Sequence, residues 1–145
     1  MEERIIIAGF GGQGVMAMGQ LLTYSGMVEE KNVSWLPSYG PEMRGGTANC
    51  NVTISSDPVG SPVVVEATTA IVLNKPSLDK FETSVVPGGN LLINTSLIDR
   101  KSNRDDLNVY YIPANEIAIE LGNVRIANMV MLGAYIEITK AISVD

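Results

Sequence analysis

Residues 5 to 22 read "IIIAGFGGQGVMAMGQLL", and this stretch limits the fold more than any other part of the chain. The apolar run "RIIIA" (4–8), ended by glycine, has the form of a strand buried on both faces. From Gln13 to about Val28 the spacing changes. Val15, Met18, Leu21 and Leu22, with small Ala17, Gly19 and Ser25 between them, mark the packed side of a helix. Strand, glycine turn and helix in that order form a Rossmann-like first unit. Gly9, Gly11 and Gly14 match G-x-G-x-x-G, a pattern in which bare glycine backbone lets a pyrophosphate approach the positive end of a helix. That fingerprint also needs an acidic residue roughly 20 residues on, at the C-terminal end of the second strand, to bond the ribose hydroxyls. Glu29 and Glu30 have about the right count but precede the second strand, "NVSWL" (32–36), whose C-terminal end reads Leu36, Pro37, Ser38. The fingerprint is half present. Three readings of the loop stay open: a dinucleotide site, a sharp turn that serves only close helix packing, and backbone N–H groups facing an anion or another chain.

Beyond this unit, strands and helices alternate. Pro37 is expected to stop the second strand. A turn-rich loop then leads into a strand from about Thr47 to Ile54, with Ala48, Cys50, Val52 and Ile54 on one face. "PVVV" (62–65) and "AIVLN" (70–74) predict two more strands, and "KPSLDKFE" (75–82) a short helix with Pro76 in its first turn. "VPGGNLLIN" (86–94) reads as turn then strand, and the charge-dense "IDRKSNRDD" (98–106) as a solvated loop. "NVYYIP" (108–113) is a further strand, and Ala114 to Leu121 a short helix closed by Gly122. The segment "IANMVMLGAYIEITKAI" (126–142) is apolar almost all round, so it is expected to be buried on more than one side, in the core or under a partner. The pattern predicts an α/β fold: one three-layer domain spanning residues 1–145, with a mostly parallel or mixed sheet.

The residue inventory removes several chemistries. The chain has no histidine, and with it go the commonest general base and the Ser-His-Asp triad. A single cysteine, Cys50, rules out an internal disulfide and cannot alone hold an iron–sulfur cluster or a four-thiolate zinc. A net charge of −6 argues against a nucleic-acid partner. No signal peptide is apparent, and the N-terminal apolar run is far shorter than the roughly 20 residues that span a bilayer, so a cytoplasmic protein is expected. Cys50 reads as a small core hydrophobe, Trp35 and the tyrosines as core or interface, and Met16, Met18, Met129 and Met131 as gap-filling or interface residues. Asp105 and Asp106 read as solvated.

A second glycine-rich stretch, "SYGPEMRGG" (38–46), concentrates Tyr39, Pro41, Glu42 and Arg44 between Gly40 and the Gly45-Gly46 pair. Arg44 could offer a bidentate fork to a carboxylate or phosphate, or pair with Glu42 and pin the loop. Loops that leave strand C-termini gather on one edge of an α/β sheet, so the two glycine loops are expected side by side. "GFGGQGV", "YGPEMRGGTANC" and "GSPVV" followed by "AIVLN", in this order, resemble the gamma subunit of the 2-oxoacid:ferredoxin oxidoreductases, a unit also found fused within pyruvate:ferredoxin oxidoreductase. The "GPEMRGG" wording is closest to the 2-oxoglutarate, or general 2-oxoacid, branch.

The resemblance implies a heteromeric enzyme that oxidatively decarboxylates a 2-oxoacid, reduces ferredoxin and forms the acyl-coenzyme A. Thiamine diphosphate, Mg²⁺ and the iron–sulfur clusters are then expected on alpha and beta partner subunits, in some assemblies joined by a delta subunit. On this reading the chain itself carries no catalytic residue and no metal, and helps shape the coenzyme A side. Gly11, Gly12, Gln13 and Gly14 of the first loop, with Tyr39, Gly40, Pro41, Glu42, Arg44, Gly45 and Gly46 of the second, are the residues expected to touch that ligand or the neighbouring subunits. A stand-alone dinucleotide-binding oxidoreductase domain and a ligand-free assembly module are the competing readings.

Overall fold

A computed structural model describes residues 2–10, 14–38, 47–58, 64, 66–123 and 126–139. Strand β1 (Glu2–Phe10) is followed by helix α1 (Val15–Val28), β2 (Asn32–Ser38), β3 (Thr47–Ser55), β4 (Ala67–Val72) and α2 (Lys75–Phe81). Then come β5 (Val85–Asn94), β6 (Asn108–Ile112), α3 (Ala114–Glu120) and α4 (Ala127–Thr139). The strands form one mixed sheet in the order β2-β3-β1-β4-β5-β6. β1, β4, β5 and β6 are parallel neighbours, while β3 runs antiparallel to both β1 and β2.

Successive strand side chains point to opposite faces, so the isoleucine run of β1 feeds two cores at once. Ile5 and Ile7 join Cys50, Val52, Ile54, Ile71 and Leu92 against Val15, Met18 and Leu22 of α1 and Met131, Leu132 and Tyr135 of α4. Ile6 and Ala8 face the other way with Val64 and Ala67, on the side where Ala70, Val72, Leu91 and Ile93 pack on Leu78 of α2. Helices therefore cover both faces, giving the three layers. Ala48, Cys50, Val52 and Ile54 share one buried face, as their spacing predicts.

Several local expectations are corrected. Pro37 does not stop β2: it lies within the strand, paired with Cys50, because β2 is at the sheet edge and a missing N–H is tolerated there. Val64 is buried but belongs to no strand, while residues 62, 63 and 65 of that expected strand lie outside the described residues. β5 runs unbroken from Val85, absorbing the expected turn through Gly88 at φ +83° and a register shift opposite Ala67 and Thr69. Within this chain α4 buries one face, through Met131, Leu132 and Tyr135, and leaves Met129 and Gly133 exposed. Gly122 ends α3 at φ +105°, a conformation open to glycine at no steric cost.

The segment 98–106 is not a loosely solvated loop. It wraps Glu82, a carboxylate only 5% exposed, which accepts hydrogen bonds from Ser102 Oγ (2.5 Å), the Asn103 N–H (2.6 Å) and Arg100 Nη2 (3.2 Å). Arg100 also binds Asp79 at 2.7 Å, and Arg104 bridges Asp106 and the Glu82 and Val85 carbonyls. Burial pushes the Glu82 carboxyl up, but bonds from Ser102, Asn103 and Arg100, with the Arg100 charge, outweigh it and hold the group below its usual value. Among the described residues no helix is long and apolar enough to cross a membrane.

Candidate functional site

The residues that flank the two glycine segments lie at one edge of the sheet. β1 and β2 both run antiparallel to β3, so both end at this edge. Phe10, the last residue of β1, pairs with Thr47, and Ser38, the last of β2, pairs with Asn49. The segments 11–13 and 39–46 are thus anchored on one edge, though β3 stands between their parent strands. Gly11, Gly12, Gln13, Tyr39, Gly40, Pro41, Glu42, Arg44, Gly45 and Gly46 lie outside the described residues. Gly14 is described, and two independent constraints act on it. Its φ is +75°, and a Cβ at this position would collide with the Asn128 side-chain amide at the start of α4.

The interposed β3 weakens the dinucleotide reading. In a nucleotide-binding Rossmann unit the second strand lies beside the first, so that its terminal acid meets the ribose. Here β2 is one strand removed and ends in Leu36, Pro37 and Ser38. The packing reading of the glycines gains support one turn further on. A Cβ on Gly19 would come within 2.5 Å of Cys50 Sγ and 2.8 Å of Trp35 Nε1, so glycine there lets α1 lie close on β2 and β3.

The β1–β4 crevice is the switch point of the sheet. β1 leads into α1 on one face, whereas β4 leads into α2 on the other. Leu73 N–H donates to the Ala8 carbonyl at 2.8 Å, closing the strands up to the level of the first glycine turn. Asn74 follows, 2% exposed, its Oδ1 accepting from Ser77 N–H at 2.9 Å and so capping α2. On the next strand Asn94 closes the edge: Oδ1 accepts from the Ser96 and Ala114 N–H groups, and Nδ2 donates to Asn115 Oδ1 at 3.0 Å. Asn74 and Asn128 are absent from the residues singled out in the sequence. Asn-Lys-Pro directly after an apolar run is a readable capping signal for Asn74. Asn128, remote in sequence from Gly14, gives none.

The groups with displaced acidities lie elsewhere. Cys50 Sγ donates to the Val15 carbonyl at 3.7 Å, and burial pushes the thiol up to about 11 against a smaller lowering by Trp35. It is a packed thiol, not a nucleophile. Tyr135 donates to Glu3 Oε1 at 3.0 Å, at the opposite end of β1 from the glycine turn. Burial, and then the Glu3 charge, raise its phenol well above the usual value. Asp106 is held by Arg104, and among the described residues no group of three His, Cys, Asp or Glu side chains could hold a metal ion. Among the described residues this edge carries Gly14, the buried amides of Asn74 and Asn94, and the exposed Lys75.

The family described as Pyruvate ferredoxin/flavodoxin oxidoreductase matches residues 4–145. Similar proteins include the ketoisovalerate oxidoreductase subunit VorA of Methanothermobacter marburgensis, 47% identical over 91% of this chain. The 2-oxoglutarate synthase subunit KorC of Methanocaldococcus jannaschii is 34% identical over 99% of the chain and 78% of its own length. The chain spans only 27% of the length of the VorA relative. Among solved structures, the gamma subunit of a keto/oxoacid ferredoxin oxidoreductase from Geobacter sulfurreducens superposes with a TM-score of 0.87 at 26% identity, covering 99% of this chain and 79% of that one.

Proposed function

Because the chain belongs to the pyruvate ferredoxin/flavodoxin oxidoreductase family, we propose that it works as the gamma component of a heteromeric 2-oxoacid:ferredoxin oxidoreductase in the cytoplasm. In that role residues 1–145 act as one domain, packed against alpha and beta subunits that hold thiamine diphosphate, Mg²⁺ and iron–sulfur clusters and deliver electrons to ferredoxin. The observation that supports the reading is the pairing of Phe10 with Thr47 and of Ser38 with Asn49, which puts the flanks of both glycine segments at one edge. Gly11 to Gly14, Tyr39 to Glu42 and Arg44 to Gly46 then face coenzyme A or the neighbouring subunits. The residues here bind and orient; the decarboxylation belongs to the partners.

Affinity purification of the tagged chain from its native host tests this. Two larger partners carrying thiamine diphosphate and iron–sulfur absorption are expected, and a chain that comes down alone would refute the reading. In the assembled enzyme Arg44→Ala is expected to lower turnover while the complex stays intact. Wild-type turnover in that variant would leave Arg44 only a scaffolding role.

The acyl chain of the substrate has two supported readings. The "GPEMRGG" wording favours 2-oxoglutarate, and the 47% identity to the ketoisovalerate subunit favours a branched 2-oxoacid. A panel of 2-oxoglutarate, 2-oxoisovalerate and pyruvate ranked by kcat/KM decides between them.

A further inference from the structure

Helix α1 is uncharged along its whole length. Val15–Val28 contain no Asp, Glu, Lys or Arg, whereas α2 carries Lys75, Asp79 and Lys80 and α3 carries Glu116 and Glu120. Its inner side gives Val15, Met18, Gly19, Leu22 and Gly26 to the core. On the opposite side Ala17, Leu21, Tyr24 and Val28 are exposed, the last three by 44%, 65% and 65%. Successive steps of four, three and four residues align them in one stripe, the seam spacing of a two-helix coiled coil. Met27, also exposed, widens the stripe. A helix that faces only water carries polar and charged side chains on this side, so the stripe has the composition of a covered surface.

Seam spacing fits another helix, and two properties select a second copy of α1 in antiparallel alignment. The first is size. Packing about a two-fold axis sets Leu21 against Tyr24 of the other copy and Ala17 against Val28, so each layer joins a smaller side chain to a larger one and the stripe complements itself. The second is charge. The first turn of α1 has no acidic residue and Gly14 supplies no capping side chain, while Glu30 stands exposed just past the other end. Antiparallel alignment carries each Glu30 toward the uncompensated N-terminus of the other helix, where the dipole favours an anion. The seam itself brings no charges together, so the net charge of −6 on each copy opposes this contact less than one made through a charged face. We infer that α1 is the contact helix of a two-fold dimer of this chain, joined through the stripe of Ala17, Leu21, Tyr24 and Val28. One helix pair is a small interface, so a dissociation constant on the order of micromolar is expected.

Sedimentation equilibrium of the full chain tests the contact. A species of twice the chain mass that dissociates on dilution is expected. Tyr24→Glu puts a charge into the seam at an exposed position and is expected to raise the dissociation constant by about 100-fold or more, with the far-ultraviolet spectrum unchanged. Leu21→Cys/Tyr24→Cys, which is independent of how Tyr24→Glu folds, is expected to give a disulfide-linked dimer on mild oxidation, with the buried Cys50 left out of the reaction. In a purified heteromeric enzyme, the photo-crosslinking residue benzoylphenylalanine in place of Tyr24 is expected to join two copies of this chain. A parent chain that stays monomeric at about 100 μM, or a dimer that Tyr24→Glu leaves intact, would overturn the inference. Crosslinking to a different subunit would overturn it in favour of a catalytic-subunit helix on this face. None of these results bears against the gamma-component reading, which the affinity purification tests separately.

Discussion

Glu82→Gln measures how far the 98–106 segment is held by one buried carboxylate. Oε2 of Glu82 receives Ser102 Oγ and the Asn103 N–H, and Oε1 receives Arg100. Glutamine keeps the shape but supplies only one oxygen, so its NH2 must face either two donors or a guanidinium. Charge-assisted bonds of this kind contribute about 1.5–3 kcal/mol each, and Arg100 retains Asp79, so a net loss of about 2–4 kcal/mol is expected. For a chain of this size that corresponds to a fall of roughly 6–12 °C in the thermal midpoint. Asp79→Asn, which removes the exposed partner of the same arginine, should cost less than about 1 kcal/mol.

The pH dependence gives a second measure of the same group. The folded-state acidity of Glu82 lies below its unfolded value, so its contribution is complete above the ordinary carboxylate range and disappears as pH falls through the lower, folded value. Urea unfolding between neutral and acid pH should therefore show a weaker loss of stability in Glu82→Gln than in the parent. A midpoint within about 2 °C of the parent and an unchanged acid slope would refute the claim that Glu82 organises this segment.

Gly14→Ala should destabilise the chain by about 1–3 kcal/mol, because alanine meets both the positive φ and the Asn128 amide. Adding Asn128→Ala should restore part of that loss in denaturant titrations, and no restoration would count against the contact. Cys50, with its thiol pushed up to about 11, should resist a thiol reagent at pH 8 in the folded chain and react fully once unfolded. Rapid native labelling would show the thiol to be accessible.

The alternation of buried strands with packed helices was legible because side-chain period and apolar content are local properties. Three consecutive isoleucines ended by glycine fit a strand covered on both faces, and Ala48 to Ile54 alternate on one face as their spacing predicts. The glycine motifs stand out by their spacing alone, and most of their residues lie outside the described residues. Strand order was not legible: nothing in "NVSWL" reveals that β3 will insert antiparallel between β1 and β2, because pairing depends on partners distant in sequence. For the same reason Pro37 read as a stop until its place at the sheet edge made its missing N–H harmless.

Side-chain period and residue inventory thus set the layer architecture and exclude histidine and cysteine-cluster chemistry. What each side chain meets depended on the fold. Glu82 becomes the anchor of a charged segment, Asn128 comes to rest against Gly14, and Asn74 caps α2 while its amide stays unpaired. The physical reason is that conformational preference and burial period act over a few residues. Hydrogen-bond satisfaction and steric fit are settled between side chains that the fold alone brings together.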